Sequence, residues 1–327
     1  MMISVVIPLY NKAQSIRKTL DSVLAQTFRN FEIVLVDDGS ADDSANIAEN
    51  ILRDNLCSIE CINFKDESVN AFNNNLSTLS NIQHNPTFKV IRQANAGVSA
   101  ARNAGVMAAI GKYIAFLDGD DLWHPEYLAT LNQLIIDYPD AVLYGIGCAI
   151  IEGDEMPKSI QQTSIRGEIQ DIWNNYPNCW TGSSSACNRV RLLELGLFDT
   201  RMTHGEDLDM WWRLLLSGKG VIDSRVLAYY RQDSENRAMH KMIPLEKHIP
   251  YFIDKYVSAR ANNISFRRYF DREMIYRLYP YLFDKKYKKN ARGIAKQLDY
   301  SLQKWTMHFR MICPHLYRMY EKMKELL

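Results

Sequence analysis

Apolar runs of strand length alternate with amphipathic stretches of helix length through the first 140 residues, which constrains the fold more than any other feature. Ile3-Ser4-Val5-Val6-Ile7-Pro8 reads as a buried strand, closed by a proline that cannot donate to a ladder. Ile16, Leu20, Val23 and Leu24 then share one face of a helix beginning near Ser15. Phe31 to Val36 forms the next strand, and Asp42 or Asp43 can cap a helix through Ile47, Ile51 and Leu52. Residues 88–91, 97–109, 113–117 and 125–138 continue as strand, helix, strand and helix. Strands spaced by helices in this way pair in parallel, with helices on both faces. Beyond Asp140 the pattern loosens: strands are expected over 141–151, 183–187 and 221–230, and an apolar helix opened by acids over 206–216.

In open α/β sheets ligands bind beyond the carboxyl ends of the strands. Three polar clusters fall at such ends: Leu9-Tyr10-Asn11, Asp37-Asp38, and Asp118-Gly119-Asp120-Asp121. Taken alone, Asp-Gly is a turn dipeptide. Three carboxylates within four residues also repel one another, and a cation offsets that repulsion. An oxygen-only site with one or two carboxylates suits Mg²⁺ or Mn²⁺, whose remaining ligands come from water and a substrate diphosphate.

Composition bounds the rest. The 327 residues are 47% apolar and 24% charged, ordinary for a globular protein. The net charge of +1 conceals two regions of opposite sign. Residues 260–327 carry sixteen Lys/Arg against six Asp/Glu, a balance of +10, which leaves −9 for residues 1–259. Strand-like sequence starts at Ile3 with no basic leader, and the longest apolar stretch, 141–151, is too short to span a bilayer. The six cysteines lack C-x-x-C spacing and read as free thiols in a reducing cytoplasm. Residues 57–87 read as an insertion, rich in Asn and Ser from Ser68 onward.

Five motifs in one order carry a resemblance: Val-Val-Ile-Pro-Leu-Tyr-Asn (5–11), Val-Asp-Asp-Gly-Ser (36–40), Asn-Ala-Gly-Val-Ser-Ala-Ala-Arg-Asn (95–103), Phe-Leu-Asp-Gly-Asp-Asp (116–121) and Gly-Glu-Asp (205–207). Together they resemble glycosyltransferase family 2 over about residues 3–232. The resemblance implies a GT-A fold, a Rossmann-like and mostly parallel sheet sandwiched by helices. It places a catalytic domain at 1–240, followed by an α-helical, basic and aromatic extension at 241–327. It also implies inverting transfer from a UDP-sugar to a saccharide acceptor, lipid-linked, in bacterial surface polysaccharide assembly. A sugar-nucleotide pyrophosphorylase is the enzymatic alternative, although those enzymes place a glycine-rich loop where this chain has Pro8-Leu9-Tyr10-Asn11. A non-catalytic nucleotide-sugar-binding module is the third.

The family's roles fall on matching positions. Pro8, Tyr10 and Asn11 resemble the nucleoside pocket, with Tyr10 stacking on the base, and Asp38 resembles the acceptor of the uracil N–H. Asn95, Gly97 and Arg102 belong to a motif lining the donor side; Arg102 faces a phosphate or pairs with one of the acids. Asp118 resembles the first acid of the D-x-D motif and Asp120 the acid holding Mn²⁺ or Mg²⁺, with Asp118 beside it. Asp207 resembles the catalytic base, accompanied by Glu206. Acids in a first helical turn are also favoured by capping and the macrodipole. Asp121 reads as a cap for the helix near Pro125, and Trp211 and Trp212 as core. The basic tail, densest at Lys285-Lys286-Tyr287-Lys288-Lys289, packs as a helical bundle or rests on an anionic membrane through 260–327, at the inner face of the plasma membrane. No nucleic-acid reader motif accompanies the charge.

Overall fold

The computed structural model describes residues 2–58, 62–63, 86–153, 165–177, 179–235 and 243–299. Most of the insertion expected at 57–87, including Cys61, lies outside these residues, as do Cys313 and the tail beyond Asp299. The chain divides into two compact units: residues 1–170 with 177–240, and residues 171–176 with 241–327.

The first unit begins with β1 (Ile3–Leu9), α1 (Ile16–Leu24), β2 (Phe31–Asp37) and α2 (Ser44–Asn55). Two short strands, β3 (Cys57–Ser58) and β4 (Ile62–Asn63), precede β5 (Thr87–Arg92), α3 (Val98–Ala108) and β6 (Tyr113–Phe116). Next come β7 (Leu122–Trp123), α4 (Tyr127–Asp137), β8 (Leu143–Ile151) and β9 (Arg166–Glu168). The unit continues with β10 (Ser185–Asn188), α5 (Arg189–Glu194), α6 (Glu206–Ser217) and β11 (Gly220–Arg231).

All the strands join one mixed sheet in the order β3-β5-β2-β1-β6-β10-β8-β11-β7, with β4 on β5 and β9 on β11. β1 pairs in parallel with both β2 and β6, so the chain crosses over at β1 and opens a crevice at its carboxyl end. β10 runs antiparallel between β6 and β8. This reversal, which hydrophobic pattern alone does not show, joins the antiparallel pairing of β7 and β9 with β11 in making the sheet mostly rather than wholly parallel.

Alternation along β1 sorts its side chains onto two faces. Ile3, Val5, Ile7 and Leu9 join one buried core with Ile16, Leu20 and Val23 of α1, Leu52 of α2 and Leu131 of α4. On the other face α3 comes so close that a Cβ on Gly105 would stand 2.4 Å from a Val6 methyl. β1 runs one residue past its proline, and the Leu9 carbonyl accepts the Asp38 N–H at 2.8 Å. Trp211 and Trp212 are both fully buried, Trp211 against Phe116 and Phe198, so the core reading of these tryptophans holds.

The second unit is helical: a 3₁₀ turn (Leu245–Lys247), α7 (Ile249–Lys255), α8 (Val257–Asn262), α9 (Ile264–Phe283) and α10 (Lys288–Ala295). An aromatic cluster fills it, with Trp173 edge-on to Phe266 at 4.6 Å and Tyr176 stacked on Tyr269 at 4.7 Å. Arg260 pairs with the fully buried Asp271 at 2.8 Å. None of the described helices is long and apolar enough to cross a membrane.

Candidate active site

The loops leaving β1, β2, β5, β6 and β11 are laced to one another. Asn11 adopts φ 52°, a left-handed conformation that Asn tolerates better than most residues. From there its N–H donates to Ser40 Oγ at 3.0 Å, and its Oδ1 accepts the Ala41 N–H at 2.7 Å. The Lys12 N–H donates to Ser44 Oγ at 2.7 Å. Tyr10, next in the chain, is 41% exposed, while Pro8 is buried.

Asp38 is buried and faces the β5 loop. Its Oδ1 accepts Gln93 Nε2 at 2.7 Å and the Ala96 N–H at 2.9 Å; its Oδ2 accepts the Gly97 N–H at 2.8 Å. One Oδ2 lone pair is thus left over from these three bonds. Asn95 and Gly97 are exposed on the loop that Asp38 organises. Gly39 must be glycine: it sits at φ 72°, and a Cβ there would lie 2.8 Å from the Asn95 amide nitrogen. Asp37 stays with its own turn, accepting the Ser40 N–H at 3.2 Å.

Arg102, on α3, joins the acids of β6 to those of α6. Its guanidinium donates to Asp118 Oδ1 at 2.8 Å and to Glu206 Oε1 at 2.8 Å. It also lies 5.5 Å from the centre of the Phe198 ring, within cation–π range. Burial opposes the charge on Arg102, but Asp118, Glu206 and Asp207 outweigh it and raise its pKa further. The Glu206 carboxyl is pushed up by burial and by Asp207, with Arg102 working in the opposite direction. Both Glu206 and Asp207 lie in the first turn of α6, which Gly205 opens in the left-handed region at φ 76°. Asp207, half-buried, accepts the Leu208 N–H at 2.7 Å.

The acids after β6 divide their work. Asp121 is buried, accepting Ser183 Oγ at 2.5 Å and the Arg231 N–H at 3.1 Å. It does not cap α4, whose N-cap position is Glu126 and which has no side-chain cap bond. The turn before β10 reaches Asp121 first. Burial, then Asp120 and Asp118, push the Asp121 carboxyl well above the usual range. Asp120 points elsewhere: its Oδ2 receives Lys12 Nζ at 2.6 Å and Ser234 Oγ at 2.7 Å, while its carbonyl accepts Arg231 Nε at 2.6 Å.

Sequence reasoning does not find Lys12, Gly182, Ser183 or Ser234. A Cβ on Gly182 would stand 2.9 Å from both the Arg102 guanidinium and the Asp118 carboxylate, so the bare glycine lets that turn close over the pair without displacing either. Ser183 Oγ accepts the Asp118 N–H at 3.0 Å. Asn103 exchanges two hydrogen bonds with the Phe198 backbone, tying α3 to the segment that leads to α6. The closing Asn of the 95–103 motif was the available signal for that tie.

A divalent cation fits the donor set. Asp120 offers a hard carboxylate oxygen that already carries an ammonium ion, so a cation is accommodated there. Among the described residues no group of three His, Cys, Asp or Glu side chains could hold a metal unaided. Asp120, with Asp118 two residues before it, would supply carboxylate oxygen to Mg²⁺ or Mn²⁺, ions whose other ligands come from water and phosphate.

Sheet order, crossover and the acids at its crevice define a GT-A fold. The family model described as glycosyl transferase family 2 matches residues 4–59 and 50–193, and the chain belongs to that family. Among curated relatives, an uncharacterized glycosyltransferase of Escherichia coli, YibD, is 32% identical over 202 residues, covering 62% of this chain and 46% of its own length. Glycosyltransferase GlyA of Streptococcus pneumoniae is 35% identical over 143 residues, covering 44% of this chain and 16% of its own. The match thus spans less than half the length of either relative. Among solved structures, S. aureus TarS residues 1–349 with UDP-GlcNAc superposes at TM-score 0.59 and 18% identity, covering 90% of this chain and 70% of that one. Mannosyltransferase PcManGT of Pyrobaculum calidifontis, with GDP-Man and Mn²⁺, does so at 0.55 and 16%, covering 99% and 84%.

Proposed function

We propose that this chain transfers a sugar from a UDP-sugar to a saccharide hydroxyl with inversion at the anomeric carbon. The observation that carries the reading is the bridge from Asp118 through Arg102 to Glu206, which brings the α6 acids to the crevice of β1 and β6. In this reading the acceptor O–H bond breaks toward Asp207, the acceptor oxygen bonds to the anomeric carbon, and the sugar–phosphate bond opens to release UDP. A general base of this kind contributes about 10²–10⁴-fold. Glu206 is already bound to Arg102, so we assign it to positioning and leave the proton to Asp207.

The nucleoside lies against Tyr10 and Pro8, and the spare lone pair on Asp38 suits an imino N–H. Asp120 holds the divalent cation with Asp118 beside it, and the cation, when bound, neutralises charge on the departing diphosphate. UDP-GlcNAc in the TarS structure supports a uridine donor, and Mn²⁺ in the PcManGT structure supports the cation. We further propose, from the family resemblance, a lipid-linked acceptor in bacterial surface polysaccharide assembly.

A membrane-facing role for the second unit has its own support. Tyr276 and Phe283 are seven residues apart on α9, hence on one helical face, and are 73% and 43% exposed. Lys285, Lys286, Lys288, Lys289 and Arg292 follow, all exposed. Aromatic rings beside clustered cations suit the headgroup layer of an anionic bilayer.

Titration calorimetry and transfer assays test the central reading. Asp207→Asn should bind UDP with Mn²⁺ within about twofold of wild type while transfer falls about 10²–10⁴-fold. Asp120→Ala should lose the metal dependence of UDP binding. Full transfer by Asp207→Asn would remove the base, and unchanged metal dependence in Asp120→Ala would remove the metal acid.

A further inference from the structure

Lys12 does not belong to any motif that carried the family resemblance, yet its ammonium group sits on the acid assigned to the metal. The pair is 2.6 Å apart, and the two side chains are only 12% and 15% exposed. The ammonium also donates to the carbonyl of Glu235, beyond the end of β11. Ser234 adds its hydroxyl to the same Asp120 oxygen at 2.7 Å. The Glu235 carboxylate is fastened in turn to the start of α1, accepting the Gln14 and Ser15 N–H groups, each at 3.1 Å, and Ser15 Oγ at 2.5 Å. One oxygen of Asp120 therefore carries an ammonium and a hydroxyl delivered by two segments that clasp each other.

We propose that Lys12 is the resident counter-ion of Asp120, and that a divalent cation gains this carboxylate only by exchanging with the Lys12 ammonium and loosening the Ser234–Glu235 strap. The inference rests on Asp120 being the metal acid. A divalent ion about 2.1 Å from that oxygen and an ammonium at 2.6 Å would stand within about 5 Å of each other, where like charges repel strongly in a crevice shielded from water. The pairing holds the Asp120 carboxylate in place before the metal arrives, so its charge is not left uncompensated beside Asp118 and Asp121. It also raises the metal concentration needed to fill the site. The Lys12 backbone is held separately, through its own N–H to Ser44 and through the Asn11 bonds, so the loop does not depend on the ammonium for its shape.

The test is Mn²⁺ binding followed by electron paramagnetic resonance of the free ion, with and without UDP, on the full chain. Wild type, Lys12→Met, Ser234→Ala and Asp120→Asn are compared, and thermal melts confirm folding. Methionine keeps the stem length of lysine and removes the charge. Lys12→Met should bind Mn²⁺ roughly tenfold more tightly than wild type. Ser234→Ala should move the same way by less, and Asp120→Asn should bind weakly. Affinity in Lys12→Met equal to or below wild type, with Asp120→Asn still weak, overturns the exchange but leaves the metal acid standing. Equal Mn²⁺ binding by wild type and Asp120→Asn, or none by any variant, overturns the metal acid itself and the exchange with it.

Discussion

Asp118, Glu206 and Asp207 all act on one guanidinium, and the two hydrogen-bonded to it depend on it most. Arg102→Met would leave Asp118 and Glu206 without their partner in a partly closed crevice, which costs about 3–5 kcal/mol in comparable buried pairs. Glu206 itself offers a test with a defined sign. Its folded-state pKa lies above the ordinary 4.5, so the native state holds the proton more tightly than the unfolded chain does. The stability this contributes is complete below pH 4.5 and is lost as pH rises through the folded value. The unfolding free energy of wild type minus that of Glu206→Gln should therefore fall as pH rises from 4.5 and then level off; a difference that rises with pH would contradict the assignment. At this scale the sequence revealed the acids but not their partners. Lys12 and Asp120 are 108 residues apart, and nothing local to either announces a bond between them.

The elements themselves were largely legible. Parallel strands buried on both faces are rich in apolar residues, and β1 and β2 are, so their runs stand out from the polar loops around them even though Ser4 and Glu32 are buried within them, hydrogen-bonded to each other. The helix expected at 206–216 appears as α6, and the strand expected at 221–230 as β11. What pattern could not show is direction. β10 has four residues, Ser-Ala-Cys-Asn, and runs antiparallel to both β6 and β8, a direction its short sequence does not encode. β7, only two residues long, exists because Leu122 and Trp123 pair with Tyr229 and Ala228, more than 100 positions away. Gly105 decides how closely α3 approaches the sheet, since a methyl there would collide with Val6. Gly105→Ala should cost about 1–3 kcal/mol in denaturant unfolding despite the better helix propensity of alanine. No loss would mean that α3 can move away without consequence.

The positive balance of residues 260–327 lies wholly within the second unit, residues 171–176 with 241–327. Aromatic rings, with the Arg260–Asp271 pair, fill the second, so its exposed cations are not required for packing. Vesicle flotation should show binding that grows with anionic lipid content and disappears when Lys285, Lys286, Lys288 and Lys289 are changed together to Gln. Binding indifferent to lipid charge would leave these lysines simply solvated. The reversed strand has a consequence for how such a chain can diversify. β10 is joined to β6 by a backbone ladder, Ala186 to Ala115 and Cys187 to Ile114, and a ladder of main-chain bonds demands little of the side chains on either strand. The side-chain ties that cross the same seam, Arg102 to Glu206 and Ser183 to Asp121, are what a recombined chain would have to keep.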